Sequence, residues 1–133
     1  MKQQIKGIHH VSLTCCGRVE FEKTLGFYRD VLGLAVQRSW GIGDDAGAML
    51  DTGGGLLEIF SNGRQLLHQG VIRHVALAAE DVDACVEAVR AAGYPVLVEP
   101  KDIVIQSEPP YRARIAFFEG PVGEQVELFQ ERT

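Results

Sequence analysis

Ile8-His9-His10-Val11-Ser12-Leu13 and Ile72-Arg73-His74-Val75-Ala76-Leu77 are two versions of one pattern, an apolar run with a histidine at the same place. A second pair matches as well: Leu56-Leu57-Glu58-Ile59-Phe60 is answered by Gln125-Val126-Glu127-Leu128-Phe129. Each run is short and aliphatic and reads as a strand. Two imidazoles and two carboxylates at equivalent places mark an internal duplication.

Working outward, each copy reads as strand, helix, strand, strand, strand. In the first, a strand over 8–14 precedes a helix over 19–32, whose Phe21, Leu25, Tyr28 and Leu32 fall on one face. Gly33 occupies the left-handed cap position. Strands over 34–40, 46–51 and 56–61 follow, separated by the glycine-rich turns 41–45 and 52–55. A polar linker, 62–70, contains Leu66-Leu67 as a helical turn. The second copy opens with a strand over 71–78. Asp81 caps a helix that buries Val82, Cys85, Val86 and Val89 and ends at Gly93. Strands over 95–98, 112–118 and 125–130 complete it, with a further short strand over 103–106 beyond the repeated plan, Pro109-Pro110 in an exposed loop and a turn at 120–123. The expected fold is α+β, one domain of two βαβββ modules over about 5–62 and 70–131.

Strand side chains alternate between faces. Val11 and Leu13 oppose His10 and Ser12; Val75 and Leu77 oppose His74 and Ala76. Leu57 and Ile59 oppose Glu58 and Phe60, and Val126 and Leu128 oppose Glu127 and Phe129. In all four strands an aliphatic pair can pack under a helix while the ionisable residue points away. Phenyl groups on that second face partly desolvate the carboxylates, which then need a partner. One divalent cation would satisfy all four groups and keep coordination positions open for substrate. Two histidines with two carboxylates suit zinc, nickel, cobalt, iron or manganese better than calcium. The competing reading is a metal-free His/Glu hydrogen-bond network in a binding module. His9 has the opposite parity and is expected to face outward or to stand behind the site; His68 is expected in solvent.

Composition narrows the function. The chain has 133 residues, 46% hydrophobic and 23% charged, as in ordinary soluble domains. A net charge of −5 without a basic stripe argues against nucleic acid. No apolar run approaches the ~20 residues that cross a bilayer, and the first residues carry no signal core. The cytoplasm is the expected compartment. Three cysteines, Cys15, Cys16 and Cys85, form no disulfide framework.

These residues, with Leu25-Gly26-Phe27-Tyr28-Arg29-Asp30-Val31-Leu32-Gly33 and the run from Phe117 to Phe129 through Gly120-Pro121-Val122-Gly123, resemble the vicinal oxygen chelate superfamily of glyoxalase I, methylmalonyl-CoA epimerase, fosfomycin and bleomycin resistance proteins and extradiol dioxygenases. The resemblance implies paired βαβββ modules whose mixed sheet curls into a cup around the metal, with helices outside. The set His10, Glu58, His74 and Glu127 is similar to that of bacterial glyoxalase I. Dioxygenases and fosfomycin enzymes generally lack the first glutamate, and the epimerase generally has glutamine there. Asn62 matches a glutathione-contacting position. Thr14 departs from the glyoxalase pattern, which has an arginine four residues after the first histidine, and the segment 99–111 departs too.

The resemblance further implies a small-molecule substrate, such as the hemithioacetal of a 2-oxoaldehyde with a thiol, bound through oxygens to the metal. Glu58 and Glu127 are then the acid/base candidates, and Phe60, Phe129 and Trp40 an apolar wall. An acyl-CoA epimerase, a thiol–epoxide resistance transferase and a metal-free sequestering protein are the alternatives. A homodimer is implied, with the modules paired within one chain or between two.

Overall fold

The computed structural model describes residues 3–4, 6–65, 67, 69–70 and 72–132. His68, Leu66 of the expected linker turn and the expected strand start at 71 lie outside the described residues. The chain divides into two compact units, Met1–Leu66 and Leu67–Thr133.

In the first unit, β1 (His10–Thr14) leads into α1 (Gly17–Gly26), which continues as a π turn over Phe27–Val31. Then come β2 (Ala35–Ile42), β3 (Asp45–Asp51) and β4 (Leu56–Phe60). The sheet order is β1-β4-β3-β2, with β1 parallel to β4 and the other pairs antiparallel. The second unit repeats this plan with β5 (Val75–Ala78), α2 (Val82–Ala91), β6 (Val96–Ile105), β7 (Tyr111–Glu119) and β8 (Gln125–Arg132). Its order is β5-β8-β7-β6, again with one parallel pair, β5 with β8. The α+β class and the doubled βαβββ order are as expected.

The alternation in sequence becomes burial in the fold. Leu57 and Ile59 of β4 are buried, as are Val126 and Leu128 of β8, and Val11, Leu13, Val75 and Leu77 are half-buried. Asp81 caps α2 by accepting a hydrogen bond from Ala84 N at 3.0 Å, and Val82, Val86 and Val89 form its buried stripe. The N-terminus of α1 is held by carboxylates: Cys16 N donates to Glu20 Oε1 at 2.7 Å and Arg18 N to Asp44 Oδ1 at 3.1 Å.

Four expectations need correction. The helix expected over 19–32 stays α-helical only to Gly26; Leu32 N then bonds Phe27 O, five residues back. The buried stripe is Phe21, Thr24, Phe27 and Tyr28, at ordinary helical spacing, and Leu25 and Leu32 are half-buried. The strands expected over 95–98 and 103–106 are one strand, β6, whose irregularities fall between Val96 and Val98 and between Val98 and Lys101. β6 is an edge strand, where Pro100 costs no ladder bond toward a second neighbour. β5 begins one residue after His74, so this histidine stands at the strand mouth rather than inside it. Cys85 is half-buried rather than a core residue. Among the described residues no helix is long and apolar enough to cross a membrane.

The β2–β3 hairpin turns at Gly43 and Asp44, and Gly41 just before it has φ of 77°. A side chain at Gly41 would strike the backbone carbonyl of Asp45. Gly41→Ala is expected to destabilise the protein by more than about 2 kcal/mol, read as a lower urea midpoint at unchanged slope.

Candidate metal centre

Each unit brings one histidine and one glutamate together by the same register. On the parallel β1/β4 pair, His10 lies opposite Leu56 and Ser12 opposite Glu58, so His10 and Glu58 are diagonal neighbours on one face. On β5/β8, Ala76 lies opposite Glu127, and His74 precedes Ala76 by two residues. His10 Nε2 stands 3.4 Å from Glu58 Oε1, and His74 Nε2 stands 3.3 Å from Glu127 Oε1. The exposures also agree, at 39% and 10% for the first pair's side chains and 39% and 13% for the second. In each pair the imidazole reaches solvent and the carboxylate sits at the floor.

The donor chemistry fits a transition-metal dication. Two ligands each about 2.1 Å from one cation stand roughly 3.0–3.4 Å apart in octahedral or tetrahedral coordination, and both pairs have that spacing. Among the described residues neither unit alone gathers three or more His, Cys, Asp or Glu side chains able to hold a metal. Each unit brings together two of the four ligands expected from the sequence.

His9 stands beside His10 as one of the two expected alternatives. Its Nδ1 lies 2.9 Å from His10 Nδ1, with the rings edge-on at 5.2 Å between centroids. One nitrogen donates and the other accepts, which turns His10 Nε2 toward Glu58. In the second copy this place is held by Arg73, which donates to Gly70 O at 3.2 Å.

Aromatic groups flank both His–Glu pairs. In the first unit the Trp40 and Phe60 rings meet edge-on at 6.1 Å. Trp40 lies across Gly47, its register partner, where any side chain would collide with the indole. In the second unit Phe117 meets the His74 ring edge-on at 5.2 Å, and Tyr111 meets Phe129 at 5.7 Å. An open concavity of about 720 Å³ there is lined by Ala76, Ala78, Tyr111, Phe129 and Glu131, among others. Asn62 lies exposed past the end of β4, bridged to Cys16. Sequence reading missed Met49, Arg38 and Phe117 on these faces and the bond from Tyr111 Oη to Glu131. Only the strand register reveals them.

Residues 7–128 match the family model of the Glyoxalase/Bleomycin resistance protein/Dioxygenase superfamily, and the chain belongs to that family. Its members commonly use a divalent metal. No curated protein sequence matches this chain. Among solved structures it is similar to the fosfomycin resistance protein FosX from Listeria monocytogenes, at 19% identity and a TM-score of 0.73, over 97% of this chain and 96% of that one. It is also similar to the trypanothione-dependent glyoxalase I of Leishmania major, at 21% identity and a TM-score of 0.69, over 96% and 88%. A third is TnmS3, an antibiotic binding protein from Streptomyces sp. CB03234, at 20% identity and a TM-score of 0.73, over 98% and 100%. At these identities the likeness is one of fold.

The hydrogen bond to Glu131, with burial and the carboxylate's charge, pushes the Tyr111 phenol above the ordinary tyrosine range. In Glu131→Gln the Tyr111 titration, followed by NMR of labelled tyrosine rings, is expected to move down toward that range.

Proposed function

We propose that this chain is a divalent-metal-dependent enzyme of the glyoxalase type, a lyase or isomerase that moves a proton between neighbouring carbons of a small oxygen-bearing substrate such as a 2-oxoaldehyde hemithioacetal. The observation that carries this reading is the doubled His–Glu pair, with the same register, spacing and graded exposure in both units. His10, Glu58, His74 and Glu127 would hold the cation, with nickel, zinc, cobalt, manganese and iron as its candidates. When bound, the metal supplies Lewis acidity toward charge developing on a substrate oxygen.

The chain's own groups do the rest. Glu58 and Glu127 each face a histidine with Oε1, and the second carboxylate oxygen is the proton acceptor and donor. His9 fixes the ring orientation of His10. Trp40 and Phe60 on one half, with Phe117 and Phe129 on the other, exclude water from the reacting carbons. Asn62 is kept as a contact for the thiol portion. Two ligands per unit make a complete set a matter of pairing units, and the proposed assembly is a homodimer working in the cytoplasm, where the three free cysteines stay reduced.

A second reading, a sequestering protein for an apolar small molecule, is favoured by the concavity in the second unit, whose lining includes none of the four proposed ligands. Chelation separates the two, since it abolishes turnover but leaves sequestration intact.

Glu127→Gln is expected to keep its far-UV circular dichroism while losing at least about tenfold in metal affinity and roughly 10²-fold or more in kcat/KM on the methylglyoxal–glutathione adduct. His9→Phe, which keeps the ring and removes the nitrogens, is expected to weaken metal binding about tenfold. Full metal content and undiminished turnover in Glu127→Gln would overturn the reading.

A further inference from the structure

The two units repeat the His–Glu pair but differ in what stands beside it. Register partners project from the same face of a sheet. In the first unit Ser12, Glu58, Met49 and Arg38 form one such row across β1, β4, β3 and β2. In the second unit the matching row is Ala76, Glu127, Phe117 and Val98. A cation is therefore in line with Glu58 where the other copy has valine.

The Arg38 guanidinium is only weakly engaged. Its Nη1 rests 3.8 Å from Met49 Sδ, and a thioether is a poor acceptor. Arg18, Arg29, Arg90, Arg114 and Arg132 each lie within ion-pair distance of a carboxylate. Among the described residues no carboxylate lies that close to Arg38. The residue opens onto a groove of about 400 Å³ that it shares with His9, Gln37 and Asp51. The Asp51 carboxylate also borders this groove, beyond ion-pair distance of Arg38, and its Oδ1 accepts from Gly53 N at 2.7 Å. Strands are about 4.8 Å apart, so the Arg38 backbone is roughly 10 Å from that of Glu58, and its side chain leans back over Met49 toward the His10–Glu58 pair.

We propose that Arg38 is a specificity-determining residue that binds a carboxylate at the end of the substrate remote from the reacting carbons. The planar guanidinium fork matches a carboxylate with two parallel hydrogen bonds. A chain of net charge −5 offers no general attraction to anions, so a local donor is required. In the second unit the neighbours of Glu127 in the matching row, Ala76, Phe117 and Val98, are all apolar, so charge selection belongs to the first unit. This inference rests on the metal-dependent reading above.

The test uses the zinc-loaded protein and two probes. Glutaric monohydroxamate chelates a cation through its hydroxamate and carries a free carboxylate at the other end; its methyl ester is neutral there. By calorimetry the wild type is expected to bind the acid at least about tenfold more tightly than the ester. Arg38→Met is expected to weaken the acid alone, erasing the difference at unchanged zinc content, and Arg38→Lys to restore part of it. Equal affinities in the wild type, or a preference that survives in Arg38→Met, would overturn the inference while leaving the metal reading standing. Binding of neither probe would overturn the metal reading and this inference with it.

Discussion

The structure depends on burying alternate aliphatic side chains of β4 and β8 on one face of their sheets. Leu57, Ile59, Val126 and Leu128 are each at most 3% exposed. Each such burial stabilises the fold by about 1.5–3 kcal/mol, and period-two geometry then leaves Glu58 and Glu127 no choice but the other face. A slip of one residue would bury both carboxylates under the helix side and expose four aliphatic groups at once. The position of the acids is thus a by-product of core packing and needs no separate device.

That constraint explains what was legible in the sequence. The doubling, the strand positions of Glu58 and Glu127 and the capped helix at Asp81 all follow from local pattern. The pairing of His10 with Glu58 was legible only as shared parity; its diagonal register across β1 and β4 came from the fold. Two things were hidden for identifiable reasons. The polar, proline-bearing Glu99-Pro100-Lys101-Asp102 reads as a loop, yet an edge strand tolerates it because one side of its backbone has no partner. The buried stripe of α1 runs through Thr24 and Phe27 rather than Leu25, and the π turn at Phe27–Val31 then carries Leu32 off the 3.6-residue period.

The aromatic surroundings were harder to read than the ionisable groups because they depend on neighbours across strands. Trp40 takes its position from the bare backbone of Gly47, its register partner on β3, and Phe117 reaches His74 across β8. Such relations have no signature in a single stretch of chain. Titratable residues could be found by repetition, whereas their walls are a property of the assembled sheet.

The repeat has a consequence for how such a molecule can be altered. The two units repeat the same register at the histidine and glutamate positions, but the outer strands β2 and β6 are not held to the same repeat. Arg38 on one and Val98 on the other already differ completely in charge and size while the inner pairs match to 0.1 Å in spacing. The repeated His–Glu pairs and the positions that differ between the copies therefore lie on separate strands. Side chains on the outer strands can be exchanged without touching the repeated pairs.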